Sequence, residues 1–401
     1  MQKTYKVIIV GGGASGLMCA IELLSGTSVL NGRDVAIIER NDRVGKKLVA
    51  TGNGQGNLSN THFSVDFFHG EKGFLRAFIQ ETEKINILSY LENLGIPLTT
   101  TAEGKIYPLS KQANSVLDVM RAFLTSKGCQ IITDTKIESI KKKDGVYSLV
   151  SGMNCFFAES VVLATGGKSA KQFGTDGTAY SLAQAFGHGL TPLYPSLVQL
   201  KTELDAIRGL KGLKETARLT AFDGDVELKS AVGEILFTEY GVSGNAVFQI
   251  SSVLTNVKNP KIKVEFLPDY TIEQIEDILA RREKLGYLNG ELYLSGLINK
   301  RIGQAVIKTS KALSAKEVAK ALKCFVINVV GDLGFNYSQV TKGGIETSKI
   351  NPFTLESKLS RDLYVIGEML DVDGDCGGYN LTFAFSTGIR SARAIKEKLT
   401  K

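Results

Sequence analysis

An apolar, β-branched-rich run at residues 6–10 stops at Gly11-Gly12-Gly13-Ala14-Ser15-Gly16, and a helical stretch from Ala14 to about Ser25 follows. A GxGxxG set between a strand and a helix demands a tight turn against which a diphosphate can lie. Gly11, Gly13 and Gly16 allow the backbone to come close. The N–H groups of Ala14 and Ser15, at the positive end of the helix dipole, are the expected donors to the phosphates. The next apolar run, 35–39, ends in Glu39, 23 residues after Gly16, where a carboxylate accepts hydrogen bonds from ribose hydroxyls. A strand–helix–strand unit of this kind opens a doubly wound, parallel sheet.

The βα alternation continues. Residues 115–127 read as a helix with Val116, Val119, Met120, Phe123 and Leu124 on one face, leading into a strand at Gln130-Ile131-Ile132. Lys136–Lys142 and Val146–Val150 flank the turn Asp144-Gly145, and a strand near Cys155–Ala158 completes an antiparallel meander that is expected to interrupt the sheet. The buried run Val161–Ala164 then enters Thr165-Gly166-Gly167. Residues 190–255 turn β-rich and irregular, 271–285 and 311–323 read as helices, and from Leu363 the pattern returns to strand (Leu363–Ile366), glycine-rich loop (Gly374–Gly378) and helix (Leu381–Leu399).

With 401 residues the chain exceeds what one core covers. The expected fold class is α/β: a Rossmann-like nucleotide-binding domain formed by both chain ends (1–190 and 340–401) with an inserted substrate domain (191–339). The insertion is β-rich over 191–268 and 324–339 and helical over 269–323.

Several classes are excluded. No stretch of about 18 apolar residues is present, and Val7–Val10 is too short for a signal-peptide core, so neither a membrane span nor export is expected and the cytoplasm is the expected location. The five cysteines are scattered without CxxC spacing, and His62, His69 and His188 lack metal-ligand spacing; reduced thiols and no metal are expected. Between Lys258 and Lys323 there are 13 Lys/Arg against 8 Asp/Glu. That excess could meet an anion, but no aromatics interleave with it, and a solvated helical face accounts for it; no nucleic-acid partner is expected.

The glycine fingerprint alone does not separate NAD from FAD, since both carry an ADP half. The polar loop 45–60, which includes Thr51, Gly52 and Asn57, follows the ribose-binding strand and suits the second half of a dinucleotide, although Gly/Asn clusters also mark plain turns. Near the C-terminus, Gly367-Glu368-Met369-Leu370-Asp371 and Gly377-Gly378-Tyr379-Asn380-Leu381 set a strand end, an acidic loop and a helix start close together. A helix N-terminus there can stabilise a reduced flavin's negative charge, with Asn380 as its cap.

Together VIIVGGGASGL, KKLVATGNGQGNLSN, VVLATGGKSAKQFGTDGTAYSLAQAFGH, GEILFTEYGVSG, and VTKGGIE through GEMLDVDGDCGGYNLTFAFSTG resemble the bacterial aminoacetone-oxidase-like (BaiN-type) FAD flavoproteins. The resemblance runs from residue 6 to residue 394. It implies an FAD domain made of both chain ends, with FAD contacts at the glycine turn, Glu39 and Arg40, Lys46 and Lys47, the backbone near Ile137, Thr165-Gly166, Gly367-Glu368, and Asn380-Leu381. In one place the chain departs: where the family reads TGNGRCN, Gln55 and Gly56 replace the arginine and cysteine, so no role resting on those two side chains transfers.

The implied reaction is redox, on a small or steroid-like hydrophobic organic substrate. No second GxGxxG follows a strand, so NAD(P)H, if it is the donor, enters only transiently. His188 is a candidate proton donor or simply a structural histidine ending a helix; Tyr379 and Tyr240 are candidates to line a cleft or to pack. No catalytic base is assigned. Two competing readings are an RNA-modifying flavoprotein using the basic 258–323 segment and a non-catalytic flavin-binding protein.

Overall fold

The computed structural model describes residues 3–26 and 29–401. It contains two compact units, one made of the chain up to Tyr194 together with Val340–Lys401, the other of Pro195–Gln339. The first unit is built on β1 (Thr4–Val10), α1 (Ala14–Leu24), β2 (Val35–Ile38), β3 (Phe68–Gly70), α2 (Ala113–Ser126), β4 (Gln130–Ile132), β5 (Ser139–Lys143), β6 (Val146–Ser151), β7 (Asn154–Leu163), β8 (Leu363–Val365), β9 (Val372–Gly374) and α3 (Tyr379–Thr400).

Its main sheet runs β4-β2-β1-β7-β6-β5, with β8 beside β7. The β1, β2, β4, β8 and inner β7 pairings are parallel, while β5, β6 and the outer half of β7 form an antiparallel meander. Val7–Val10 and Val35–Ile38 are buried throughout, as expected of parallel strands covered on both faces. The meander does not interrupt the sheet. Residues 154–163 are a single strand whose first half pairs with β6 (Ala158↔Tyr147) and whose second half pairs with β1 (Leu163↔Val10). The Asp144-Gly145 turn has positive φ at both residues (50° and 81°), the geometry that joins a twisted two-stranded hairpin.

The two long helices of this unit pack tightly against each other because of one glycine. A Cβ on Gly388 of α3 would lie 2.5 Å from Ser15 O and 3.0 Å from Cys19 N of α1. Glu22, 6% exposed, is tolerated in this contact because Tyr90 Oη (2.9 Å), Arg393 Nε (3.3 Å) and Lys396 Nζ (2.8 Å) all donate to it.

In the second unit, strands Leu200–Thr202, Gly241–Ser243, Val226–Phe237, Lys214–Asp223, Pro260–Phe266 and Phe325–Asp332 close into a barrel. Buried residues alternate along Phe325–Asp332, which is the period of a strand with one face inward. Helices Ile272–Glu283, Lys300–Ser310 and Ala315–Lys323 fill the chain between the last two strands. All three lie within the segment expected to be helical; the first and last were also read individually, whereas the middle one was not delimited, its apolar positions Ile302, Ala305 and Val306 lying among polar and basic residues. Asn245–Ser251 is likewise helical inside a stretch that reads as β-rich.

Gly388→Ala is expected to destabilise the first unit by about 1–3 kcal/mol through overpacking of α1 against α3. A lower urea midpoint with unchanged far-UV circular dichroism would show it; an unchanged midpoint would contradict the close approach.

Candidate functional site

β1 delivers the chain to Gly11 at φ 107°, and a Cβ there would lie 2.4 Å from Ala164 O at the end of β7. A Cβ on Gly16 would lie 2.0 Å from Gly11 O. The turn is therefore closed to any side chain at either position, and α1 starts directly above the strand ends. Its N-cap, Gly13, makes no side-chain cap bond, and the N–H groups of Ala14 and Ser15 have no protein acceptor among the described residues. Uncapped first-turn donors at a glycine turn are suited to a diphosphate.

Glu39, at the end of β2, is 7% exposed. Its Oε2 accepts from Gly12 N (2.8 Å) and its Oε1 from Asn41 N (2.9 Å) and Asn41 Nδ2 (2.7 Å). Beside it Arg40 pairs with Asp176 (2.8 Å) and donates to Gly174 O (3.2 Å). Burial alone would raise the Asp176 carboxyl, but hydrogen bonds from Arg40 and from the side chain and backbone of Thr178, with Arg40's charge, hold it well below the usual carboxylate range. The segment leading to Ile137 runs along this edge, with Thr135 N donating to Glu39 O (3.0 Å) and Asp134 N to Asn41 O (2.9 Å). Ile137 itself is buried.

The loop after β2 divides its two lysines. Lys46 pairs with Asp42 (2.6 Å), while Lys47 reaches Glu368 (2.7 Å) and Ser169 O (3.4 Å). Glu368 also accepts from Thr341 N (3.0 Å), and the Thr341 hydroxyl receives the N–H groups of Lys168 (2.8 Å) and Ser169 (2.9 Å). This ties the loop after β7 to the loop after β8. Within it Thr165 Oγ1 is buried with no partner, and Gly166 and Gly367 both sit at positive φ (75° and 63°). A Cβ on Gly367 would be 2.5 Å from Ser15 Oγ. An orphaned hydroxyl and a glycine-lined cradle, set around unclaimed helix donors, fit a bound dinucleotide.

Farther along the loop, Thr51 Oγ1 donates to Leu48 O (2.7 Å), and Gly52 and Asn53 are left-handed (φ 57° and 54°). Asn57, with its amide turned to match its neighbours, donates to Ser59 O (3.2 Å) and accepts from Gly378 N–H (3.3 Å). The polar loop is thus fastened to the start of α3. Asn380 is not the helix cap: α3 begins at Tyr379 with Gly378 as N-cap. As the second helical residue it braces the preceding loop, accepting from Gly374 N (2.8 Å) and donating to Gly374 O (2.7 Å). Leu381 is half-buried against the core. Tyr379 is packed, its ring stacked on Phe67 at 4.5 Å. His188 is structural: 3% exposed, with Nε2 2.8 Å from Ser357 Oγ, Nδ1 unpartnered, and its pKa lowered by burial.

Three contributors escaped the sequence reading. Thr341 and Asp176 lie far along the chain from the segments they brace. The third is a His69–Asp375 pair, Nε2 to Oδ1 at 2.8 Å, whose only sequence signal was a polar residue inside the Gly374–Gly378 loop.

The sequence matches the family described as HI0933-like protein Rossmann domain over residues 5–394. The chain belongs to this family of FAD-dependent oxidoreductases. Among its relatives is a protein from Clostridium scindens named 3-dehydro-bile acid delta(4,6)-reductase, 34% identical over 98% of this chain and 99% of its own. Another, from Haemophilus influenzae, is named ribosomal RNA dihydrouridine synthase and is 26% identical over 99% and 100% of the two chains. Among solved structures, a 3-ketosteroid-delta4-(5alpha)-dehydrogenase from Rhodococcus jostii RHA1 shares the fold with a TM-score of 0.53 at 14% identity, over 99% of this chain and 98% of that one. As a member of an enzyme family, the chain is an oxidoreductase, and the non-catalytic alternative is set aside.

Two outcomes are expected. Glu39→Ala leaves Gly12 N–H buried without its acceptor, a loss of about 1–3 kcal/mol, and FAD retention measured by fluorescence should weaken by roughly 5- to 150-fold. Arg40→Ala should remove a stabilisation under about 1 kcal/mol. Because the folded Asp176 pKa is depressed, wild type holds that contribution above pH about 4 and loses it as pH falls toward the folded pKa. The urea-midpoint difference between wild type and variant should be full at pH 7 and shrink at pH 3.

Proposed function

We propose that the protein is an FAD-dependent reductase that saturates a carbon–carbon double bond conjugated to a carbonyl in a small, hydrophobic, steroid-like molecule. The observation that carries this reading is the full-length relationship to a protein named as a delta(4,6)-reductase of a 3-dehydro bile acid. The second relative's name also describes hydrogen added to an unsaturated ring. When bound, FAD supplies a hydride for such an acceptor.

In this reading Gly11, Gly13 and Gly16 shape the turn, the free N–H groups of Ala14 and Ser15 hold the diphosphate, and Glu39 and Arg40 hold the adenosine side. Lys46 and Lys47, Thr51, Gly52, Asn57, the Ile137 backbone, Thr165, Gly166, Gly367, Glu368, Asn380 and Leu381 line the rest. Lys47 is held beside Glu368, placing a cation next to the glycine cradle. The uncapped start of α3 favours negative charge on a reduced flavin. NAD(P)H is the proposed donor, visiting transiently. No described helix is long and apolar enough to cross a membrane, the five cysteines are free thiols, and we place the enzyme in the cytoplasm.

An RNA substrate is the second reading, favoured by the relatives named as rRNA dihydrouridine synthases from H. influenzae and Escherichia coli. Against it, several basic residues of 258–323 are already engaged: Lys261, Lys300 and Lys323 in ion pairs with Asp225, Glu291 and Glu265, and Arg282 and Arg301 on backbone carbonyls.

Under anaerobic conditions NADH or NADPH is expected to bleach the flavin, and a steroidal 4,6-dien-3-one is expected to reoxidise it with uptake of two hydrogens. An enzyme reduced by dithionite that passes no electrons to any enone contradicts the reading. Retention of rRNA that falls steeply with salt would favour the RNA substrate instead.

A further inference from the structure

We propose that His69, oriented by Asp375, is the proton donor of this reduction; the inference rests on the double-bond reading above. β3, which carries His69, pairs antiparallel with β9 in the register His69↔Asp373. β9 runs straight into the loop from which α3 emerges. Asp375 stands in that loop, three residues ahead of the Gly378 N-cap, so the pair sits where the two segments assigned to the flavin meet.

The loop's backbone is already secured without the imidazole. Asp375 N donates to Phe67 O (2.9 Å), Asn60 Nδ2 donates to Gly377 O (3.0 Å), and Asn380 brackets Gly374. A histidine is not needed to staple it. What the pair adds is an imidazole of fixed orientation: Asp375 is largely covered (15% side-chain exposure) while the His69 ring keeps 35%. With Nε2–H donating to the carboxylate, Nδ1 is the nitrogen left to exchange a proton, the orienting logic of a carboxylate–histidine pair. His188 is sealed in the core and His62 lies on an exposed segment, which leaves His69 as the histidine that combines a carboxylate partner with an accessible edge.

Saturating the double bond needs one hydride and one proton. The hydride, with its electron pair, comes from the cofactor reduced by NAD(P)H and forms the first C–H bond. The π pair of the double bond forms the second with the Nδ1 proton, and the imidazolium becomes a neutral imidazole that is reprotonated by water at its exposed edge. The titratable and charged groups around it are Asp373 across the ribbon, Asp375 and Cys376 in the loop, Tyr379 at the start of α3, Lys105 facing Cys376, and Glu71 after β3.

The test uses FAD-loaded enzyme reduced anaerobically with dithionite and mixed with a steroidal 4,6-dien-3-one. His69→Gln keeps a donor for Asp375 but has no acidic proton. Its flavin spectrum and dithionite reduction should match wild type while reoxidation by the dienone slows at least 100-fold, the scale of lost general acid catalysis. In wild type the rate should fall as pH rises, and that fall should be absent from His69→Gln. Asp375→Asn removes the charge that favours the imidazolium, so the fall should move to lower pH. A second readout does not depend on turnover: the histidine NMR signal absent from His69→Gln should shift at fixed pH once the flavin is reduced and anionic. A wild-type rate and pH limb in His69→Gln, or a His69 NMR signal unmoved by flavin reduction, overturns the proposal. If wild type leaves every enone untouched, the double-bond reading fails on its own count. The NMR readout alone then judges the pair: a shift keeps it as the proton-exchanging group beside the flavin, and no shift overturns it.

Discussion

The contact between Gly11 and Ala164, where a Cβ would lie 2.4 Å from the carbonyl oxygen, sets the rest of the nucleotide-binding unit. It holds the end of β1 against the end of β7, and the turn it closes aims α1 across both strand ends. Because β7 pairs with β1 on one side and β8 on the other, the loops after all three strands open at the same edge of the sheet. This is where an open α/β sheet binds its ligand. Backbone packed this closely leaves the first-turn N–H groups of α1 facing outward and the site walled by glycine.

Long-range polar bonds then convert three separate loops into one surface. The Lys47–Glu368 and Thr341–Lys168 bonds link segments more than 100 residues apart, Thr341 N–H donates to Glu368 to join them, and Asn57, Asn60 and Asn380 hold the loop before α3 from both sides. Most of these bonds end on backbone groups, so they specify loop shape more than they add stability. Gly56 fits such a loop: it has φ 77°, and a Cβ there would come within 3.1 Å of Ala113 Cα. Buried charges are treated the same way, with Glu22 given three donors in the α1–α3 contact.

Local sequence determined the features whose physics is local. The Gly11–Gly16 turn, Glu39 at a strand end, the Asp144-Gly145 hairpin and the apolar faces of α1 and α2 follow from backbone freedom and side-chain period, and each could be read within a window of a few turns. The α/β class followed from the order of those windows, and the family from the resemblance of the longer motifs. What only the tertiary structure decided is pairing across distance: the continuity of β7 through the meander, Asp176 on Arg40, Thr341 on Lys168, and His69 against Asp375, 306 residues apart. A lone histidine or threonine carries no periodic signal, and its role depends on a partner that chain folding alone brings within hydrogen-bond reach.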